Sequence, residues 1–293
     1  MLNITHNLKK SIIPGIILGM TGMILQVGKN FLLLKGQPPK IDFVVGAAIC
    51  YIMLGFFFCF GFFVFNKVIP GKHRFEKAFR YTLFAYICVG FPGLLGVIAF
   101  DFAGGTNLLS DVKIDDYAIL VTDFINLVIV GGILLGFSID KDIEIYEPYN
   151  ISNRLVISSV LCSLFFPIIS FSMHILINYV SPFDYQIPNQ MVIFHYVTFY
   201  GILILTGVLM PAFYQIAARL LAKFTMTIPV TFTFFFFICL WLMNIAFLIP
   251  FGFSWSTTVK FWIENLLSIL LTSVLISKTL NRETISMLKM KLQ

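Results

Sequence analysis

Six ionisable residues stand inside or at the edge of long apolar stretches of the sequence: Lys29, Asp101, Asp123, His174, His195 and Glu264. A charged side chain at membrane depth is costly, so it normally faces the interior of a helix bundle and marks a path for an ion or a solute. Carboxylates and imidazoles can bind protons or cations there, and a lysine can pair with an anion. By position, Asp101 belongs to a loop. The other five residues, together with Asn126, are therefore the candidate pathway residues.

Helical spacing puts most of these residues on polar or small stripes. The stripes of the first, fifth and eighth apolar stretches are Gly15-Gly19-Gly22-Gln26-Lys29, Ser159-Ser163-Pro167-Ser170-His174 and Lys260-Glu264-Ser268-Thr272. On the fourth stretch, Asp123 and Asn126 share one face. A bundle that turns these four faces inward would enclose a polar vestibule open to the outer side of the membrane.

Each stripe also has a purely structural interpretation. Lys29 could extend its amine outward to the membrane surface. Lys260 and Glu264 could form no more than an intrahelical ion pair. Small residues four positions apart are typical of close helix packing, and this spacing occurs at Gly15/Gly19 and Gly132/Gly136.

The two membrane histidines, His174 and His195, flank a short outer connection and are expected at similar depth. Two imidazoles could bind a metal or the axial positions of a haem. Haem also needs an open slot between helices, and this is the one such pair in the sequence. We therefore predict a hydrogen-bonded or proton-titrating pair, with no metal and no cofactor.

The elements that must position these residues are membrane helices. The composition is 59% hydrophobic and 12% charged, with a mean hydropathy of +0.93. About 20 helical residues cross the hydrocarbon core of a bilayer, and helices satisfy their own backbone there. We predict an all-α polytopic integral membrane bundle, one domain over 1–293, with five cysteines as small buried apolar residues. The eight predicted spans are 12–34, 43–65, 81–100, 118–139, 155–177, 191–213, 229–250 and 260–277.

Lysine and arginine are concentrated in alternate loops, which sets the predicted orientation. One side carries basic residues before the first span, after the even-numbered spans and in the tail, and the opposite loops carry few. This bias predicts that both termini are cytoplasmic, in a multi-pass protein of the cell (inner or plasma) membrane. The net charge of +6 is then a topology signal and is no argument for nucleic acid.

Two further features bear on function. Gly90, Pro92 and Gly93 break the third span, as in transporters whose broken helices expose backbone groups to a substrate. Basic amphipathic segments at 214–224 and in the tail are expected to lie on the inner leaflet, among membrane lipids. The same segments could also dock partner subunits.

No catalytic motif of the metalloprotease, serine-hydrolase or phosphate-loop type occurs, so an enzyme is not the favoured class. The leading expectation is a transporter or permease for an unknown small solute or ion, proton- or cation-coupled through the pathway residues. The alternative is a non-catalytic membrane subunit or sensor that assembles with partner proteins. A weaker third class is a lipid-modifying enzyme with an outer-facing site, using His174 or His195 as base beside Asp123 or Glu264.

Overall fold

The computed structural model describes residues 4–33, 41–87, 121–122, 124–139, 152–183, 192–221, 228–241 and 254–280. Within these ranges all regular structure is helical, and none of it is strand. Each of the eight predicted spans overlaps a helix of these ranges.

The helices are numbered along the chain. α4 and α7 each join an α-helix to a π-helix. The bounds are α1 Ile4–Leu33, α2 Ile41–Phe65, α3 74–87, α4 Phe124–Val130 (π) with Gly131–Ser138, α5 Asn153–Val180, α6 Val192–Leu221, α7 Ile228–Phe236 with Phe237–Trp241 (π), and α8 Trp255–Thr279.

Four of the described helices are long and apolar enough to cross a membrane. They are Ile4–Leu25, Asn153–Val180, Tyr200–Ala218 and Trp255–Thr279, of 19 to 28 residues. Shorter apolar helices occur at Tyr51–Phe65, Phe124–Ser138 and Ile228–Cys239. The chain is therefore a helical bundle with the apolar helices of a membrane protein.

Glycines bring α1 and α2 into close contact. A Cβ on Gly15 would lie 2.6 Å from the Cα of Phe56, and one on Gly19 would lie 2.5 Å from the Cα of Ile52. Gly55 faces the backbone of Gly15 in return. The first-span glycine stripe is thus a packing seam over these residues, which confirms the structural interpretation of this spacing.

The second predicted seam is also present, although rings rather than backbone fill it. A Cβ on Gly132 of α4 would lie 2.6 Å from the ring of Phe79 on α3, and Gly136 faces the ring of Phe75. Arg74 covers the end of this seam, because its guanidinium lies 5.0 Å from the centroid of Phe75.

Aromatic side chains form the core where α2, α3, α6 and α7 meet. The Phe65 and Phe213 rings are 5.0 Å apart, and Phe213 also packs against Phe236 at 5.8 Å. Tyr81 donates its hydroxyl hydrogen to the Phe58 carbonyl at 2.9 Å, which satisfies the polar end of a buried ring.

One predicted surface helix is wrong in its described part. Instead of a separate segment over 214–224 on the leaflet, α6 continues to Leu221, and Tyr214, Ala217 and Leu221 are fully buried. The reason is that these residues form an apolar face that packs on α7, where the Tyr214 and Phe232 rings are 4.9 Å apart. Residues 222–227 and the basic tail lie outside the described residues.

Three of the five cysteines have described side chains, at Cys59, Cys162 and Cys239. All three are buried and free, which confirms their prediction as small apolar core residues. The side chains of Cys50 and Cys88 lie outside the described residues.

Candidate functional site

The structure brings two of the predicted pathway residues into direct contact. His174 of α5 and Glu264 of α8 meet where the two helices pack, with 2.8 Å between Nδ1 and Oε2. The sequence places both residues near the outer membrane surface, and His174 beside Glu264 is one of the base–carboxylate combinations of the weakest predicted class, the lipid-modifying enzyme. We call this contact the His174–Glu264 pair.

Glu264 is fully enclosed. Its side chain is 0% exposed, while that of His174 is 29% exposed. Ser170, one turn before His174, donates its hydroxyl hydrogen to Oε1 of Glu264 at 3.3 Å. A carboxylate only accepts hydrogen bonds, so with Glu264 ionised the His174 proton is on Nδ1 and is donated to Oε2.

Local sequence fixes the two helix ends that carry the pair. Ser254 caps the start of α8 by accepting from the Thr257 N–H at 3.1 Å. At the end of α5, the Ser181 N–H donates to the Ile177 carbonyl at 2.8 Å. Ser170 and His174 are four residues apart, so both present to α8 from one side of α5.

An aromatic side chain covers the imidazole. Phe183 follows α5, and its ring stacks on that of His174 with centroids 4.6 Å apart and planes 7° apart. Phe261 of α8 lies 4.8 Å from Phe183 and 6.0 Å from His174. The Phe183 N–H donates to Oδ1 of Asn178 at 3.0 Å.

Lys260 binds the same connecting segment. Its Nζ donates to the Pro182 carbonyl at 2.6 Å and lies 5.6 Å from the centroid of the Phe183 ring. The intrahelical pair with Glu264 that spacing allowed is not what forms here, since the described partners of Glu264 are His174 and Ser170.

The rest of the α8 stripe is satisfied within the bundle. Ser268 and Thr272 donate to carbonyls one turn earlier in their own helix, at 2.7 Å and 2.8 Å. Ser273 is joined to Thr233 of α7 at 3.1 Å. From Ser268 to Ser273, on the C-terminal side of Glu264, the polar face of α8 is therefore a packed seam.

On α5 the buried face differs from the predicted stripe. Ser158, Cys162 and Phe166 are fully buried, whereas Ser159 and Ser163 are half-buried. The cause is packing on α6, where a Cβ on Gly207 would lie 2.5 Å from the Cys162 carbonyl oxygen. The predicted Pro167, Ser170 and His174 end of the stripe keeps its position toward the bundle.

The fourth-span residue Asn126 lies elsewhere, in the π-helix of α4. It is 6% exposed, and its Nδ2 would lie 2.7 Å from a Cβ on Gly22 of α1. Its Oδ1 has no hydrogen-bond partner among the described residues. The first-span and fourth-span stripes thus meet at Gly22 and Asn126.

Several of the predicted site residues lie wholly or partly outside the part of the chain that the structure describes. The backbones of Lys29 and His195 belong to α1 and α6, but their side chains lie outside the described residues. Asp123, Gly90, Pro92 and Gly93 lie outside them entirely. In the part of the chain that is described, no three His, Cys, Asp or Glu residues come together as a metal site would require.

The contacts of Phe183 and Lys260 that cover the imidazole were not predicted from the sequence. The available signal was the Ser181-Pro182-Phe183 run directly after a helix that ends in a histidine stripe. This run indicates a contact with His174 only when the ends of α5 and α8 are known to meet.

Comparison with known proteins adds no assignment: no protein-family model, curated protein or solved structure matches this chain.

Proposed function

We propose that this chain is a multi-pass protein of the cell (inner or plasma) membrane, crossing it eight times with both termini cytoplasmic. We further propose that it transports a small solute or ion and couples this transport to a proton bound by the His174–Glu264 pair. The observation that carries the proposal is the fully buried carboxylate of Glu264 inside an apolar helix, bonded to an imidazole.

The membrane assignment is supported by the surface of α5, the longest of the four candidate membrane spans. Over its most apolar stretch, only 17% of α5 is buried inside the bundle. Its outward residues include Ile157, Leu164 and Ile168, which are 56%, 59% and 58% exposed. Lipid tails can cover such a surface, whereas water would solvate it poorly.

The depth of the pair supports access from one side. His174 is six residues before the end of α5 at Val180, about 9 Å along the helix axis. Glu264 is nine residues after the start of α8 at Trp255, about 14 Å along its axis. The positive-inside bias assigns this end of both helices to the extracytoplasmic side.

The chemistry of the pair suits a proton carrier. With His174 neutral and Glu264 ionised, the pair has a net charge of −1, and Nδ1–H is committed to the carboxylate. An added proton binds Nε2, the ring nitrogen that points away from Glu264, and produces a neutral ion pair. Since a buried net charge is costly and a neutral pair is less so, protonation changes which conformation is favoured.

The test is a recording of charge movement from proteoliposomes on a solid-supported membrane. Amino acids, sugars, nucleosides and inorganic ions are applied as separate classes. We expect one class to evoke a transient current in the unaltered protein and none in Glu264→Gln. Glu76→Gln is the matched control, because Glu76 is a carboxylate in the first turn of α3, far along the chain from the pair. Equal currents in Glu264→Gln, or none with any class, would refute the proposal.

A specific observation also favours the non-transporting alternative of a membrane subunit. The α1 glycine stripe packs on α2, and Ser268 and Thr272 of α8 donate hydrogen bonds to carbonyls of their own helix. Both faces are therefore packing seams. For a subunit, isolation from native membranes in mild detergent would recover the chain with a stoichiometric partner. Glu264→Gln would leave that assembly unchanged.

A further inference from the structure

We infer that Phe183 and Lys260 are positioning residues for the His174–Glu264 pair. Phe183 covers the imidazole and fixes its plane, and Lys260 fastens the segment that carries Phe183. By covering one face of the imidazole, Phe183 reduces access to a side chain that remains 29% exposed. The inference rests on the proposed function in taking the pair as the working group.

The geometry of the rings supports the first part. Stacked planes 7° apart leave the imidazole little freedom to rotate out of line with Glu264. Phe261 supports Phe183 from the side of α8, at 4.8 Å. An imidazole held between a carboxylate and a ring keeps Nδ1 aimed at Oε2, as a neighbouring group fixes a histidine tautomer in other sites.

The segment is fastened at two points, one on each helix. Asn178 of α5 accepts the Phe183 N–H at 3.0 Å, and Lys260 of α8 donates to the Pro182 carbonyl at 2.6 Å. The α5 terminus is already capped by Ser181, so these contacts are not needed to end the helix. The Lys260 contact bridges the ends of the two helices that hold the pair.

The cover is suited to reversible opening. Both fastening hydrogen bonds are exposed to solvent, so water can replace either partner when the segment lifts. The charged groups that face this region from the described residues are Glu264 and Lys260, both on α8. Lifting the segment would break the Phe183 stack on His174 and the Lys260 hydrogen bond to the Pro182 carbonyl.

The experiment measures access to His174 directly, using diethyl pyrocarbonate on the purified full chain in detergent. Peptide mass spectrometry reports modification of His174 relative to His73, an exposed histidine in the turn before α3. Phe183→Ala and Lys260→Met should each raise that ratio about two- to tenfold, the change in an opening equilibrium expected from loss of one ring contact. Phe183→Trp and Lys260→Arg should restore the original ratio.

The control is Phe165→Ala, which removes a ring of α5 that is 43% exposed and should leave the ratio unchanged. If Phe183→Ala fails to fold, the Lys260→Met and Lys260→Arg comparison carries the test alone. Unchanged modification in Lys260→Met and Phe183→Ala, or a Phe183→Trp variant as reactive as Phe183→Ala, would overturn the inference. Because the assay requires no transport, it can succeed even where the solute currents show that the proposed function is wrong.

Discussion

The strength of the His174–Glu264 contact can be worked out from its burial and tested by a double-mutant cycle. A hydrogen bond to a charged group contributes about 1.5–3 kcal/mol. Neutral interhelical hydrogen bonds in membranes average about 0.6 kcal/mol and reach about 1.7. Glu264 is 0% exposed while His174 is 29% exposed. We therefore expect a coupling free energy of about 1.5–2 kcal/mol, the lower part of the charged range.

The cycle compares His174→Ala, Glu264→Ala and the double variant. His174→Ala leaves a buried carboxylate with Ser170 as its remaining described partner, and such a loss costs about 3–5 kcal/mol. The double variant should be less destabilised than the sum of the two single variants, because no unpaired charge remains. Unfolding is followed during detergent titration by the fluorescence of the three tryptophans, of which Trp262 lies two residues from Glu264.

Ser172→Ala provides the matched control on the same helix. Ser172 is exposed and donates to the Ile168 carbonyl of α5 at 2.8 Å, so its effect should add to that of Glu264→Ala. A His174–Glu264 coupling within about 0.5 kcal/mol of zero, the additivity error for independent sites, would refute the electrostatic account of the pair.

Three further predictions follow from other parts of the chain. Gly15→Ala should lower the unfolding free energy by about 1–3 kcal/mol through overpacking, whereas Gly28→Ala, with nothing within 4 Å of its Cβ, should not. The Lys72 N–H, and then Arg80, hold the pKa of Glu76 below its ordinary value. The stabilisation by Glu76 is therefore present above the ordinary glutamate pKa and is lost as pH falls through the folded value. Thermal unfolding of Glu76→Gln should differ from that of the unaltered protein at about pH 7, and the difference should shrink as pH falls below the ordinary glutamate pKa. Reporter fusions should report an extracytoplasmic position at three loops: 105–116, 180–190 and 251–258. A cytoplasmic signal at any of these loops would overturn the predicted orientation.

The membrane-type helices could be predicted from the sequence because continuous apolar runs leave no alternative for the backbone. Their ends were less predictable. α1 begins at Ile4 instead of residue 12, and α6 runs on to Leu221. In both cases, helix continues beyond the apolar run that hydropathy detects. In α6 the extra turns are stabilised by packing of Tyr214 and Leu221, which depends on α7.

The candidate site was predictable residue by residue but not as a constellation. A carboxylate or an imidazole in an apolar run stands out by its cost alone, and this identified His174 and Glu264. The partner of each depends on how the helices rotate against each other. On α5 that rotation is fixed by Cys162 and Phe166, apolar residues that a search for polar stripes passes over. The stacking of Phe183 depends further on the backbone path after α5.

The most direct test of the account is to measure proton movement during solute transport. Proteoliposomes with a pH-sensitive dye in the lumen receive the solute class that evokes current, with no imposed pH gradient. We expect the pH of the lumen to change with the unaltered protein and with Glu76→Gln, and to stay constant with Glu264→Gln. Solute uptake without a change in lumenal pH, or an equal change with Glu264→Gln, would contradict the claim that the His174–Glu264 pair carries the coupled proton.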